Sequence, residues 1–311
     1  MVNSDQAIPL PQNEPSVSRP RSRWRERWIE LLIRGAGMSA ILIIGIIFLF
    51  LLREGLPAFV QISPGQFLGS RWYPIEELYG LVPLLIGSLL VTVGAVVIAV
   101  PLGLTSAIYL GMIAPQWQRE ILKPLIEVLA GIPSIVLGFL GWVALAPLIQ
   151  NMGASTGLTA FTGALILGYM SLPTIISISE DALYAVPKEY RDAALAIGAT
   201  NWQTIWRVIL PAARSGLVIA VVLGIGRAIG ETMAVMMVTG NAANIPSLDA
   251  GIFFQPVRTM TATIAAEMGE VAQGSLHYRV LFAIGIILFL ITFAINSLAG
   301  LLIGGGRTQR R

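Results

Sequence analysis

A full positive and a full negative charge, Arg227 and Glu231, stand four residues apart in the stretch LGIGRAIGETMAVMMVTG, residues 223–240. The remainder of that stretch is apolar or small, and it has the length of a membrane-crossing helix. An arginine at the centre of a bilayer costs about 2.5–3.5 kcal/mol on insertion scales, so the pair needs a reason. On a helical wheel, Ala220, Gly224, Arg227, Glu231, Ala234 and Val238 fall on one face. Ile225, Ile229, Met233 and Met236 gather opposite. Gly226 and Gly230 flank the charged stripe at the small-xxx-small spacing that lets helices approach closely.

Two chemistries fit this pattern. In one, the charges form an ion pair that neutralises itself and staples helices together. Arginine preceding glutamate is the weaker order within a helix, and apolar side chains usually hold such a contact at least as well. In the other, the charges line a polar pathway. A planar guanidinium fork suits a tetrahedral oxyanion. A carboxylate beside it accepts a hydrogen bond from hydrogen phosphate and repels fully ionised sulfate. Ser134, in AGIPSIVLGF with Gly131, Pro133 and Gly138, offers a hydroxyl to the same anion, although small residues in a span also serve helix packing.

The elements that must position these residues are membrane helices. The chain has 311 residues, 55% of them hydrophobic and 12% charged, where soluble domains carry about a quarter. Six windows are long and apolar enough to span: 33–52, 81–112 (with Pro83 and Pro101), 125–149 (with Pro133), 158–178 (with Pro173), 217–239 and 280–303. The prolines imply kinked or broken helices, which a membrane tolerates only where they pack in protein or line a cavity. With an even number of spans, both termini share a side. That side collects 15 of the 20 basic residues and is therefore cytoplasmic.

Residues 1–32 read as a basic, disordered cytoplasmic tail with no cleavable signal, and 304–311 as a second basic tail. The interleaved RPRSRWRERW, with Trp24 and Trp28, suits anionic headgroups. The six-span domain occupies 33–303, with a long outer loop at 240–279. There Met260–Gln273 suits a short helix, and Glu267 or Glu270 is available to basic residues of an extracytoplasmic partner.

Several chemistries are excluded. There is no cysteine and one histidine, His277, so neither thiol metal sites nor a His-x-x-His pair exist. No nucleophile–base arrangement is evident. Glu180 and Asp181 read as the start of a cytoplasmic loop, not as metal ligands. No glycine is followed by lysine, so the chain holds no phosphate-binding P-loop.

The cytoplasmic loop contains AVPKEYRDAALAIGATNWQTIWRVILPAA. Pro187 opens an alanine-rich helix, Gly198 caps it, and a second short helix follows Thr200 and closes at Pro211. From pattern alone this elbow is a solvated connector as readily as a docking device. The spacing Asp192-Ala193-Ala194, Gly198, Val208, Leu210-Pro211 resembles the EAA loop of ABC-importer permeases, with Asp for Glu and Val for Ile. GIGRAIGETMAVMMVTGN with VRTMTATIAAEMGEVAQGSLHYRVLFAIG is similar to PstC-type permeases of phosphate-specific ABC importers. The similarity covers about 33–303.

The resemblance implies an all-α integral membrane protein of six transmembrane helices with the type I ABC-importer permease fold, in a prokaryotic inner membrane. It implies inward passage of phosphate by alternating access, with Arg227, Glu231 and Ser134 on the path. It implies that the elbow at 187–213 couples to the ATPases. Arg191 and Asp192 would make polar contacts there, Ala193, Ala194 and Gly198 would allow close packing, and Leu210-Pro211 complete the motif. Expected partners are a second permease subunit (PstA-like), two ATPase subunits (PstB-like) and an extracytoplasmic phosphate-binding protein (PstS-like). No cofactor is expected on this chain, and ATP and magnesium belong to the ATPases. The same machine for another oxyanion or solute is the nearest alternative; a self-sufficient channel or secondary transporter is more distant, since neither needs an ATPase dock.

Overall fold

The computed structural model describes residues 23–304, apart from 248 and 250. The expected tails therefore lie outside the described residues up to 22 and from 305 onward. Two compact units divide the chain between Phe50 and Leu51.

The first unit holds most of helix α1 (Arg23–Gln61). The helix starts before the apolar window, where Trp, Arg, Glu and Leu sustain it, and runs beyond the window to Gln61 with Pro57 inside it. Ile41, Leu42, Ile43 and Ile44 are all exposed in succession.

The second unit carries the remaining elements. The short helix α2 (Pro64–Phe67) leads to a two-stranded hairpin, β1 (Trp72–Tyr73) and β2 (Leu78–Tyr79), antiparallel with Trp72 opposite Tyr79. Next come α3 (Val82–Ile108), a π-helical turn Tyr109–Ile113, and α4 (Gln116–Ala130). Helix α5 (Ser134–Leu140) joins α6 (Ala146–Asn151) through a π turn, Gly141–Leu145. Helix α7 (Ala160–Tyr184) is followed by α8 (Lys188–Ala196) and α9 (Asn201–Thr204). A third π turn, Ile205–Ile209, leads to α10 (Leu210–Gly230), then α11 (Met233–Val238), α12 (Met260–Glu267) and α13 (Leu276–Gly304).

Among the described residues, six helices are long and apolar enough to cross a membrane: Arg27–Gln61, Val82–Ile113, Ser134–Asn151, Ala160–Tyr184, Asn201–Gly230 and Leu276–Leu301. The third differs from the window at 125–149. Gly131-Ile132-Pro133 ends α4 as a separate amphipathic helix, and the span begins at Ser134. Charges at Arg119, Glu120, Lys123 and Glu127 recur at helical spacing and keep α4 out of the apolar layer.

Helix α7 is the axis of the second unit. It packs on α3 through an i,i+4 ridge of mostly small residues: Val91, Ala95, Ala99, Gly103 and Ala107, all buried. A Cβ at Gly103 would stand 2.6 Å from Ile175 Cγ2. In lipid, helices gain little from excluding water, so close backbone approach and dispersion hold such contacts. Helix α10 also packs on α7 by the same means: a Cβ at Gly216 would lie 2.4 Å from Ala182 Cβ, and one at Gly224 would lie 2.5 Å from Ile175 Cγ1, the residue that Gly103 of α3 meets.

Candidate functional site

The fifth span is not one helix. α10 stops at Gly230, Glu231 is extended (φ −69°, ψ 136°), and α11 restarts at Met233. The wheel that placed Arg227 and Glu231 on one continuous face therefore ends between them. A break within a span frees backbone groups that must find other partners, and here they do. Glu231 Oε1 accepts the amides of Thr232 (3.0 Å) and Ala234 (3.2 Å), capping α11. Thr261 Oγ1 donates to the Glu231 carbonyl (2.9 Å) from the start of α12. Thr232 Oγ1 donates to the Gly230 carbonyl (3.3 Å).

Helix α12 is anchored at the same place. Thr259 Oγ1 accepts the Ala262 amide (3.2 Å), and Ser88 Oγ of α3 accepts the Met260 amide (2.9 Å). Ser88, Thr92, Thr259, Thr261 and Glu231 line one small cavity beside the break. Against its neighbouring face, α3, α10, α12 and α13 enclose an apolar cleft of about 500 Å³ lined by Ile225 and Ile229.

Arg227 sits in the last turn of α10, exposed, on the flank shared with Ile219, Leu223 and Gly230. It makes no ion pair or hydrogen bond among the described residues, and the Arg227–Glu231 staple is not formed. Gly226 and Gly230 face open space, so the close approaches of α10 within this chain are at Gly216 and Gly224. Ser134 starts α5 after Pro133, half-buried, with no hydrogen bond to Arg227 or Glu231.

The elbow follows its sequence signals closely. Pro187 precedes α8, and Gly198 takes φ +87°. The Gly198 amide reaches the Leu195 carbonyl (3.0 Å) and the Ala199 amide reaches that of Ala194 (3.1 Å), a Schellman closure that needs the left-handed residue. Thr200 and Gln203 cap α9 reciprocally. Pro211 does not end this helix. The π turn at Ile205–Ile209 lets it run from Asn201 to Gly230, because a wider turn absorbs the hydrogen bond proline cannot make. Ala194 is buried within the chain, whereas Arg191, Asp192, Ala193, Gly198 and Pro211 are exposed and Leu210 is half-buried. Ile197 (87% exposed), Trp202 and Trp206 add a protruding apolar edge.

Residues 99–304 match the family described as binding-protein-dependent transport system inner membrane component. The chain belongs to this family. The permease is 42% identical over 251 residues to a probable ABC transporter permease protein, YqgH, of Bacillus subtilis, covering 79% of this chain and 80% of that one. It is 36% identical over 254 residues to the phosphate transport system permease protein PstC of Pasteurella multocida, covering 75% and 78%. Its fold is that of ABC-importer permeases. A chain in the crystal structure of a bacterial alginate ABC transporter, in complex with an alginate pentasaccharide-bound periplasmic protein, superposes with TM-score 0.59 at 15% identity, covering 89% of the permease and 96% of that chain. The permease is an integral membrane protein.

Two polar clusters of the permease were not read from the sequence, although Glu267, His277, Glu180 and Asp181 were noted there singly. Glu267 faces inward rather than toward a partner. Its Oε1 accepts from Arg258 (2.7 Å) and Trp72 (3.0 Å), and its Oε2 meets His277 (2.8 Å). One carboxylate thus ties the hairpin, α12 and α13 together. Tyr79 packs on Trp72 and His277, and burial, helped by the Glu77 and Glu267 charges, raises its pKa. The second cluster joins Lys123 to Glu180, which is a buried residue of α7 rather than the start of a loop. Its signal in the sequence was the amphipathic charge spacing of α4, which places Lys123 one turn from Arg119.

Proposed function

We propose that the permease carries inorganic phosphate inward as one half of a two-permease core, moving it by alternating access past the break at Glu231. The observation that carries this reading is the charged break itself, in a chain 36% identical to a PstC. Glu231 Oε1 is committed to capping α11, while Oε2 has no hydrogen-bond partner among the described residues. Oε2 can accept a proton-bearing oxygen of hydrogen phosphate, and sulfate at neutral pH has none to give. Arg227 supplies a fork of donors on the adjoining turn, and Ser134 supplies a hydroxyl on the path.

A guanidinium exposed on a span does not face lipid at equilibrium. We take that flank to face a second, PstA-like permease across the pathway. The elbow at 187–213 docks with PstB-like ATPases. Arg191 and Asp192 make the polar contacts, Ala193 and Gly198 lie at the surface, and Leu210-Pro211 continue the motif into the span. ATP and magnesium bind those subunits, and the permease holds no cofactor and performs no chemistry on its cargo. A PstS-like protein delivers phosphate to the outer loop at 240–279. Both termini, and the tails at 1–32 and 304–311 flanking the domain at 33–303, lie in the cytoplasm of a prokaryotic cell.

Uptake of labelled phosphate and labelled sulfate by the complete reconstituted system tests the reading. Phosphate accumulation that requires ATP is expected. Sulfate accumulation without phosphate overturns it in favour of another oxyanion importer. Uptake that persists without ATPase subunits overturns it in favour of a secondary transporter.

A further inference from the structure

Glu180 is 1% exposed and lies near the elbow end of α7. Lys123 of α4 reaches it, Nζ to Oε2 at 3.3 Å, while Oε1 has no hydrogen-bond partner among the described residues. Asp181 Oδ1 lies 4.0 Å from the same ammonium. A buried carboxylate held by one lysine is a poor device for stability, since apolar side chains of similar volume would pack these helices at least as well. It is a better device for movement. Lysine is a compact charge with three rotatable donors, and two carboxylate oxygens, Glu180 Oε2 and Asp181 Oδ1, lie within 4.0 Å of it. The ammonium can pass from Glu180 to Asp181 and remain paired.

The pair stands at a junction. On the elbow side, α7 runs one further turn to Tyr184, and Pro187 then opens α8. Arg119, one turn before Lys123 on α4, lies over the Tyr184 ring at 4.8 Å. The same guanidinium donates to the carbonyls of Leu110 (2.6 Å) and Gly111 (3.0 Å) in the π turn that ends the second span. Helix α4 is thereby fastened to the ends of two spans. On the other side, α4 passes through Gly131-Ile132-Pro133 into α5. Gly138 of α5 meets α11 so closely that a Cβ there would lie 2.9 Å from Ala234 Cα. The amide of Ala234 is one that Glu231 caps.

We propose that the Glu180–Lys123 pair is the joint through which displacement of the elbow reaches the broken span. Helices α4 and α5 act as the connecting rod, and Gly131-Ile132-Pro133 is its hinge. Glu180 and Lys123 are positioning residues: they touch no cargo, and they act through α5 and α11 on the segment that Glu231 caps. The proposal rests on the transport function above, and its test separates the two.

The complete transporter in proteoliposomes, with its partner permease, ATPases and binding protein, is assayed for phosphate taken up per ATP hydrolysed. Lys123→Gln and Glu180→Gln are expected to hydrolyse ATP within about twofold of the unaltered complex, while phosphate carried per ATP falls at least about tenfold. Lys123→Arg, which keeps the charge, is expected to retain most of the ratio. An unchanged ratio in Lys123→Gln overturns the joint. So does an equal fall in uptake and hydrolysis, which marks lost assembly rather than lost transmission. Lys123 is 40% exposed at its side chain, so its variant decides the matter even where Glu180→Gln fails to fold. A second readout needs no cargo. The chain has no cysteine, so spin labels at Phe139→Cys on α5 and Phe293→Cys on α13 report movement of α5 when ATP binds. That movement is expected in the otherwise unaltered complex and absent with Lys123→Gln. Its persistence overturns the joint whether or not the cargo is phosphate.

Discussion

Glu231 caps the half-helix that Ala234 belongs to, its Oε1 accepting the Ala234 amide at 3.2 Å. The carboxylate therefore holds a shape as well as a charge, and the two roles can be pulled apart. Glu231→Gln keeps an acceptor oxygen for the cap and loses only the charge. It is expected to melt within about 0.5 kcal/mol of the unaltered permease while phosphate uptake falls at least about tenfold. Glu231→Ala loses the cap too, at about 1 kcal/mol. Melting in detergent read beside uptake in proteoliposomes checks both; equal melting of the two variants would remove the capping role.

Arg227 has no hydrogen-bond or ion-pair partner among the described residues of its own chain. Arg227→Gln is expected to remove an exposed, unpaired charge without destabilising the permease, yet to abolish phosphate uptake. Arg227→Lys keeps the charge but not the planar fork, and uptake is expected to stay well below that of the unaltered protein. Uptake at the unaltered level with Gln would show that the guanidinium does not meet the anion.

Two glycines distinguish close packing from empty space. At Gly138 an added methyl meets Ala234 Cα at 2.9 Å and Met237 Sδ at 3.1 Å. Gly138→Ala is expected to cost about 1–3 kcal/mol by overpacking. Gly226 has nothing within 4 Å, and Gly226→Ala is expected to leave melting unchanged or to raise it slightly through helix propensity. Thermal melts of the purified permease decide this, and equal shifts would contradict the α5–α11 contact.

Gly198 is required for its backbone, since at φ +87° a side chain is strained although space is open around it. Gly198→Ala is expected to cost about 1–2 kcal/mol locally, to loosen α8 against α9, and to weaken co-purification of the ATPase. Intact co-purification would show that the turn is not needed for docking.

Tyr79 titrates above its usual value of 10.0, chiefly through burial. The stability it contributes is complete below pH about 10 and is lost as pH rises through its higher folded value. Melts of the permease and of Tyr79→Phe at pH 8 and above pH 10 are expected to diverge only at the alkaline end, with the unaltered chain falling faster.

The spans and the elbow were legible in the sequence because each is written in local chemistry. Long apolar runs mark the spans, while Pro187, Gly198 and Thr200 mark helix ends. The breaks were harder to read. Nothing in GETM forbids a helix, and the turn at Glu231 is held by Thr261, thirty residues away, so no local rule reveals it. Pro211 misled in the opposite sense, because the π turn before it spreads the missing hydrogen bond over a wider loop. Glu180 read as a loop residue because a charge normally ends a span. Only tertiary packing, with Lys123 arriving from another helix, allows it inside.

The exposed guanidinium on α10 also bears on the life of the subunit before it ever meets an anion. A copy inserted alone would present Arg227 to hydrocarbon, at about 2.5–3.5 kcal/mol on insertion scales, and that cost disappears when a neighbouring subunit covers the flank. Under the proposed pairing with a second permease, the charge would double as a checkpoint on stoichiometry. Orphan copies would be the poorly seated, protease-sensitive ones, and the cell would keep only as many permeases as it can pair.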